Sequence, residues 1–169
     1  MGKYLNEYFV ASFQKVGTFQ IVGNQKQGGN VASYFCTPQG RLLHAVVGPV
    51  DAPTLLREAR WVEETWKLAW LEAKDNLVRQ QAVFRKAHLE RLRHEHGMAP
   101  VPRTLLSRGV SASDVSLLLD RFTSSAQGRI HWLLASFPLV PLETAYKPIF
   151  EKVVGEQVST SPIAGATGG

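Results

Sequence analysis

The five histidines and the single cysteine have the widest chemical range in this chain, because imidazole and thiolate groups bind metals and transfer protons. One common metal-binding pattern places a glutamate three residues before a histidine on the same helix face. Here that earlier position holds arginine or glycine for every histidine. His94 and His96 flank Glu95, and side chains two residues apart on a helix point about 200° apart. The pattern predicts no metal ligands and favours surface histidines at a helix end.

Cys36 is the candidate reactive thiol, and it has no second cysteine with which to form an internal disulfide. A thiol of low pKa needs a helix N-terminus or nearby cations, whereas Cys36 falls in a predicted strand with no base beside it. We therefore expect a buried structural cysteine. The chain contains no Gly-x-Ser-x-Gly elbow, P-loop or Gly-x-Gly-x-x-Gly fingerprint. The sequence predicts neither catalytic residues nor a bound cofactor.

Three tryptophans stand close together at Trp61, Trp66 and Trp70. Trp66 and Trp70 share a helix face, since they are four residues apart. Core packing is the simplest explanation of such a face. The alternative is a partner-binding anchor, because tryptophan side chains bury large areas and dominate interface energetics.

Short runs of β-branched and aromatic residues predict strands from Tyr8 to Phe13 and from Thr18 to Val22. A hairpin is predicted from Val31 to Cys36 and from Arg41 to Val47, with a Thr-Pro-Gln-Gly turn at residues 37–40. Both faces of this hairpin are largely apolar. We therefore expect other elements to cover it on both sides.

A long helix is predicted after Asp51, which serves as its N-cap, with Pro53 in the first turn. Apolar residues then recur at helical spacing, and no proline or glycine interrupts them before Gly97. Such a helix has about forty residues and would reach about 60 Å. Its far half must pack on the C-terminal helices or on a second copy of the chain.

The remaining sequence predicts an all-helical extension. A linker from Gly97 to Pro102 precedes an amphipathic helix that begins near Ser111 and ends near Leu134, and a third helical stretch runs from about Leu142 to Val154. The predicted divisions are a partial α/β unit at 1–60, the rest of the long helix at 61–96, the extension at 103–156 and a disordered tail at 157–169.

From Val31 to Trp61 the order of strand, tight turn, strand, glycine and capped helix, preceded by Leu5 to Val10, resembles the C-terminal half of thioredoxin-like proteins. The resemblance implies an α/β fold class, with a partial ββα sheet unit followed by the long helix and the helical extension. Two departures limit it. The family's Cys-x-x-Cys would lie before Met1, and Gly28-Gly29-Asn30 stands where the family has a cis-proline. Dithiol exchange is therefore not expected of this chain.

These features predict a non-catalytic thioredoxin-like interaction or assembly protein that binds a protein partner or a second copy of itself. The alternative is the C-terminal part of a thioredoxin-family thiol-disulfide oxidoreductase whose active-site segment lies upstream. The net charge is +5, and its densest part, from Arg85 to Arg108, contains no aromatic residue, so nucleic-acid binding is not expected. No apolar run is long enough for a membrane span, and a cytoplasmic location is expected.

Overall fold

The structure, a computed structural model, describes residues 1–12, 19–22, 25–28, 31–97 and 125–155. In this part of the chain one short helix precedes four strands, which form two small antiparallel sheets, and the elements after them are helical. The elements in chain order are α1 (Gly2–Tyr8), β1 (Phe19–Val22), β2 (Gln25–Gly28), β3 (Ala32–Cys36), β4 (Leu42–Val47), α2 (Ala52–Ala73), α3 (Leu77–His96), α4 (Ala126–Ser136) and α5 (Leu142–Pro148), which continues as a π-helical segment (Ile149–Val154). None of these helices has the length and apolar character needed to cross a membrane.

The predicted hairpin is confirmed as β3 paired with β4, in the register Ala32↔Val47 to Phe35↔His44. Its turn is closed by a hydrogen bond of 2.9 Å from the Gly40 amide to the Thr37 carbonyl, and Gly40 has a φ of 73°. Glycine adopts that left-handed conformation without a steric penalty. The mixed α/β and helical composition expected from the sequence is therefore present.

The N-terminal region differs in part from the prediction. Gly2–Tyr8 forms helix α1, and residues 9–12 are not in a strand, so the strand predicted to begin at Tyr8 is wrong over the described residues. The strand predicted up to Val22 is confirmed as β1. It pairs with β2 in a second two-stranded sheet, separate from β3 and β4.

The β3–β4 hairpin is covered on both faces, as its apolar pattern predicts. One core cluster joins Phe35, Leu43 and Val46 to residues of α2 and α3, including Ala59, Val62 and Phe84. The other cluster joins Leu42 and Ala45 to α4 and the C-terminal helical segment, through Ile130, Leu134, Ala145, Ile149 and Val153. The helical extension thus supplies the second layer that one helix alone cannot provide.

The single long helix predicted through residue 96 is wrong, because the structure divides it into α2 and α3. Lys74 ends α2 with a φ of 47°, which a right-handed α-helix does not accommodate. Asn76 then caps α3, since its side-chain oxygen accepts a hydrogen bond of 3.1 Å from the Arg79 amide. The rings of Trp66 and Phe84 lie 6.4 Å apart, so α3 folds back along α2 as an antiparallel pair.

The C-terminal helices are confirmed in part. The single amphipathic helix predicted from near Ser111 to near Leu134 is wrong at Ser125, where the backbone is extended and α4 begins. Ser125 caps α4 through a hydrogen bond of 3.2 Å from the Gly128 amide to its hydroxyl oxygen. Pro148 marks the change from α5 to the π-helical segment, and Gly155 ends that segment with a φ of 81°. The helix start predicted near Ser111, most of the linker after Gly97 and the predicted tail lie outside the described residues.

Candidate metal centre

Three histidines from three separate elements meet in the interior. His44 lies on β4, His88 on α3 and His131 on α4, and at most 1% of each residue is exposed. Ring centroids are 5.0 Å apart for His44 and His131, 5.1 Å for His88 and His131, and 5.7 Å for His44 and His88. One nitrogen from each ring lies within 4.8 Å of the other two. This set is the three-histidine cluster.

Local patterning places each of these rings. His44 faces inward because it lies opposite Phe35 in a hairpin whose two faces are both covered. His88 lies on the buried stripe of α3, four residues after Phe84 and four before Leu92. His131 lies in the apolar stretch of α4 between the buried residues Ile130 and Trp132.

The tautomer of His88 follows from its hydrogen bonds. Its Nε2 lies 3.0 Å from the carbonyl oxygen of Leu43, which can only accept, so Nε2 carries the proton. The Nδ1 of the neutral ring is then a lone-pair donor, and it lies 3.0 Å from Nδ1 of His131. In a typical metal-ligating histidine, one ring nitrogen donates a hydrogen bond to a backbone carbonyl and the other has a free lone pair.

His44 is held in the same tautomer by a carboxylate. Its Nε2 lies 3.3 Å from a carboxylate oxygen of Glu58 on α2. The amide nitrogen of Gln127 lies 3.3 Å from the same Nε2, but it can only donate a hydrogen bond, and it donates one of 2.9 Å to the Ala45 carbonyl. The ionised carboxylate is the stronger acceptor, so Nε2 carries the proton. The Nδ1 of His44 is buried and has no hydrogen-bond partner among the described residues.

Glu58 is itself fixed by arginines. Arg91 on α3 contacts both of its carboxylate oxygens, and Nε of Arg57 donates to it at 3.2 Å. Burial alone would raise the pKa of Glu58, but hydrogen bonds from His44 and Arg91 and the charge of Arg91 outweigh it and lower the pKa to about 2. Glu58 is therefore an anion at neutral pH.

The three histidines are neutral at the same pH. Burial is the main cause that lowers the pKa of His44, and hydrogen bonding to Glu58 opposes it only in part. Burial also lowers the pKa of His88 and of His131, and the neighbouring His44 lowers both further. A metal ion requires unprotonated imidazole nitrogens, so the cluster is already in the protonation state that binds one.

Trp61 packs on the cluster from the side of α2. Its ring lies 5.0 Å from that of His44, 5.1 Å from His88 and 5.7 Å from His131, with the planes steeply inclined in each case. The guanidinium of Arg91 lies 4.7 Å from the centre of the Trp61 ring. Trp61 and Arg91 also line an open groove of about 850 Å³ between α2 and α3. They therefore stand between that groove and the histidines.

The residues singled out from the sequence lie in different places. Trp61 belongs to the site, whereas Trp66 packs against Phe84, and 48% of Trp70 is exposed. Cys36 is half-buried in β3 among residues of the second core cluster, and burial raises its pKa to about 11. That thiol is mostly protonated near pH 7. Cys36 is less buried than the sequence predicts, and its structural role stays a prediction.

The three-histidine cluster was missed because its members are far apart in the chain, 43 residues between His88 and His131 alone. A fixed spacing in the sequence indicates ligands that lie on one helix or strand, whereas these three histidines lie on three different elements. The available signal was the position of each histidine on a pattern of buried apolar residues. Of the two histidines predicted at the surface, His94 is exposed and His96 is half-buried.

No protein-family model, curated protein or solved structure matches this chain. The thioredoxin-like relationship therefore stays a prediction from the residues that resemble the family. The class that can be assigned from the geometry is a mixed α/β and helical protein with a buried cluster of three neutral histidines.

Proposed function

We propose that this protein binds a first-row transition metal ion through His44, His88 and His131. The supporting observation is the fixed tautomer of two rings: Leu43 and Glu58 hold Nε2–H of His88 and His44, so both Nδ1 lone pairs are available inside the cluster. Imidazole nitrogen suits zinc, copper, iron and nickel and not the hard cations magnesium and calcium.

The dimensions of the cluster fit such an ion. Zinc–nitrogen bonds of about 2.0–2.1 Å in a tetrahedral arrangement place ligand nitrogens about 3.3 Å apart. The Nδ1 atoms of His88 and His131 are 3.0 Å apart, and all three ligand nitrogens lie within 4.8 Å of one another. Metal binding would bring the His44 nitrogen to about 3.3 Å from the other two and so complete the three-nitrogen set. The ion would cross-link β4, α3 and α4.

The direct test is metal loading of tag-free protein that has been stripped with a chelator. We expect the first equivalent of Co²⁺ to bind tightly, with the intense visible bands of a four-coordinate ion. His88→Asn should abolish that spectrum. His94→Asn is the matched control, because His94 lies on the same helix but is exposed, and it should leave the spectrum unchanged.

A second measurement does not depend on a folded variant. Long-range ¹H–¹⁵N spectra of the wild-type protein should show Nε2–H tautomers for His44 and His88, with Zn²⁺ shifting their Nδ1 resonances. If Zn²⁺ leaves all three rings unperturbed, or if His88→Asn and His94→Asn bind Co²⁺ equally, the proposal is wrong. The cluster would then be a hydrogen-bonded part of the core.

We propose self-association as a second function, in keeping with the interaction protein expected from the sequence. It rests on exposed apolar side chains near the end of α2, where 48% of Trp70 and 79% of Leu71 are accessible. Light scattering over a range of concentrations should show a dimer that Trp70→Ser weakens. A wild-type chain that stays monomeric at high concentration would remove this function and leave the metal proposal intact.

A further inference from the structure

A second set of donors adjoins the three-histidine cluster and shares His131 with it. Nε2 of His131 and Nε2 of His96 are both buried and have no hydrogen-bond partner among the described residues. Their ring centroids are 5.8 Å apart. One donor atom from each of Glu95, His96 and His131 lies within 4.8 Å of the other two.

The two nitrogens of His131 have separate surroundings. Nδ1 is directed at His88, 3.0 Å away, and Nε2 is the nitrogen that remains without a partner. A neutral imidazole carries one proton, and a buried polar atom left without a partner is unfavourable because its lost hydration is not replaced. This cost at Nε2 of His131 is removed if the atom binds a cation.

We propose that His131 bridges two transition metal ions, the first held with His44 and His88 and the second with His96 and Glu95. The inference rests on the proposed function, since the first ion is the one described there. The ring binds the first ion through Nδ1 and the second through Nε2. For both bonds to form, the ring releases its single N–H proton to solvent and becomes an imidazolate.

The charges near the second set can accommodate a cation. Glu95 accepts a hydrogen bond of 2.7 Å from Nε of Arg91 through Oε1, and a carboxylate has a second oxygen with which to bind an ion. Glu58 and the imidazolate supply two further negative charges close to the pair of ions. These anions offset the positive charge of Arg91, which lies between Glu58 and Glu95.

His94 provides an internal comparison for His96. Both lie in the last turn of α3, but His94 is exposed and lines the groove between α2 and α3, whereas His96 is half-buried beside His131. The two side chains leave the helix in different directions because they are two residues apart. If a metal bound surface histidines without selectivity, substitution of either residue would reduce its binding. Binding of the proposed second ion should be reduced only by substitution of His96.

The test is a Cu²⁺ titration of chelator-stripped, tag-free protein, followed by metal analysis and electron paramagnetic resonance. We expect two ions per chain, with the second equivalent removing most of the signal of the first, because an imidazolate bridge couples the two spins. His96→Asn should bind one ion and keep the uncoupled signal. His94→Asn should still bind two coupled ions.

The outcomes separate this inference from the proposed function. One ion per chain in the wild type, lost in His88→Asn, would overturn the bridge and support the single site. Two ions with independent signals, or equal responses of the His94 and His96 variants, would also overturn the bridge. No bound Cu²⁺ at all would overturn both proposals.

Discussion

Nδ1 of His88 lies 3.0 Å from Nδ1 of His131, inside a core where neither residue exposes more than 1% of its surface. Without a metal, the Nδ1–H of His131 donates to the lone pair of His88, whose own proton is held by the Leu43 carbonyl. With a metal, both nitrogens must offer lone pairs to the ion. The same pair of nitrogens therefore forms a hydrogen bond in the metal-free state and supplies two of the three ligands in the metal-bound state.

Metal binding should raise the stability of the fold, because the three ligands come from elements that are distant in the chain. A ligand present at 100 times its Kd stabilises the native state by about 2.7 kcal/mol. For a chain of this size we expect Tm to rise by about 5–10 °C. Thermal melts with Zn²⁺ and with a chelator measure the difference.

The same melts on His94→Asn and His88→Asn provide the comparison. His94→Asn should keep the full rise in Tm, because that side chain is exposed and outside the cluster. His88→Asn should lose it. An equal rise in both variants would indicate that Zn²⁺ acts somewhere other than the three-histidine cluster.

Glu58→Gln should weaken metal binding, although Glu58 is not itself a proposed ligand. The carboxylate holds the Nε2–H of His44 and so presents Nδ1 to the ion. Loss of such a supporting group typically costs 10–100-fold in affinity. Competition with a chromophoric chelator measures the change in Kd. Glu64→Gln is the control, since Glu64 is exposed in the adjoining groove, and it should leave Kd unchanged.

The same substitution should destabilise the metal-free protein. Arg91 is 11% exposed, and it would keep only the more exposed Glu95 carboxylate as an ion-pair partner. Breaking a buried ion pair from one side costs about 3–5 kcal/mol when the remaining charge is uncompensated. We expect a smaller cost here, because Arg91 stays paired with Glu95. Urea denaturation in the presence of a chelator measures this cost. Equal stability of Glu58→Gln and Glu64→Gln would show that the Glu58–Arg91 pair contributes little.

Cys36 should react slowly with alkylating reagents in the folded protein. Its pKa is raised from 9.0 to about 11 by burial, and the thiolate is the reactive form. Two units correspond to about 100-fold less thiolate near pH 8, and the rate should climb as the pH approaches 11. Iodoacetamide labelling followed by mass spectrometry measures the rate. Rapid labelling at pH 7, as fast as in urea-unfolded protein, would contradict this prediction.

The sequence predicts those parts of the structure that local patterns control. The Thr37–Gly40 turn, the Asp51 cap and the need to cover both faces of the hairpin all follow from turn chemistry, capping and alternation. Each depends on residues close together in the chain. The structure confirms all three.

The sequence does not predict what depends on long-range packing. The cluster of His44, His88 and His131 exists only after β4, α3 and α4 have packed together. The break after Ala73 was missed for another reason: residues 74–76 contain neither proline nor glycine, the usual signals of a helix end. Here a lysine adopts a positive φ, and packing of α3 against α2 compensates for the strain.

Lys74→Gly should therefore stabilise the protein. Lys74 has a φ of 47° and a ψ of −124°, a conformation that glycine adopts without the steric conflict of a Cβ atom. Strain of this kind costs about 1–3 kcal/mol, and the greater freedom of glycine in the unfolded chain offsets part of the gain. We expect a net stabilisation of about 1 kcal/mol, measured by urea denaturation.

Lys86→Gly is the matched control for that turn. Lys86 is an exposed lysine in the middle of α3, with an ion-pair distance of 4.0 Å to Glu90, and it has ordinary helical geometry. Glycine at an exposed helix interior costs about 1 kcal/mol. The two substitutions should thus change the free energy of unfolding in opposite directions. If both destabilise the protein equally, the turn at Lys74 carries no strain, and α2 and α3 are separated by the Asn76 cap and by helix packing alone.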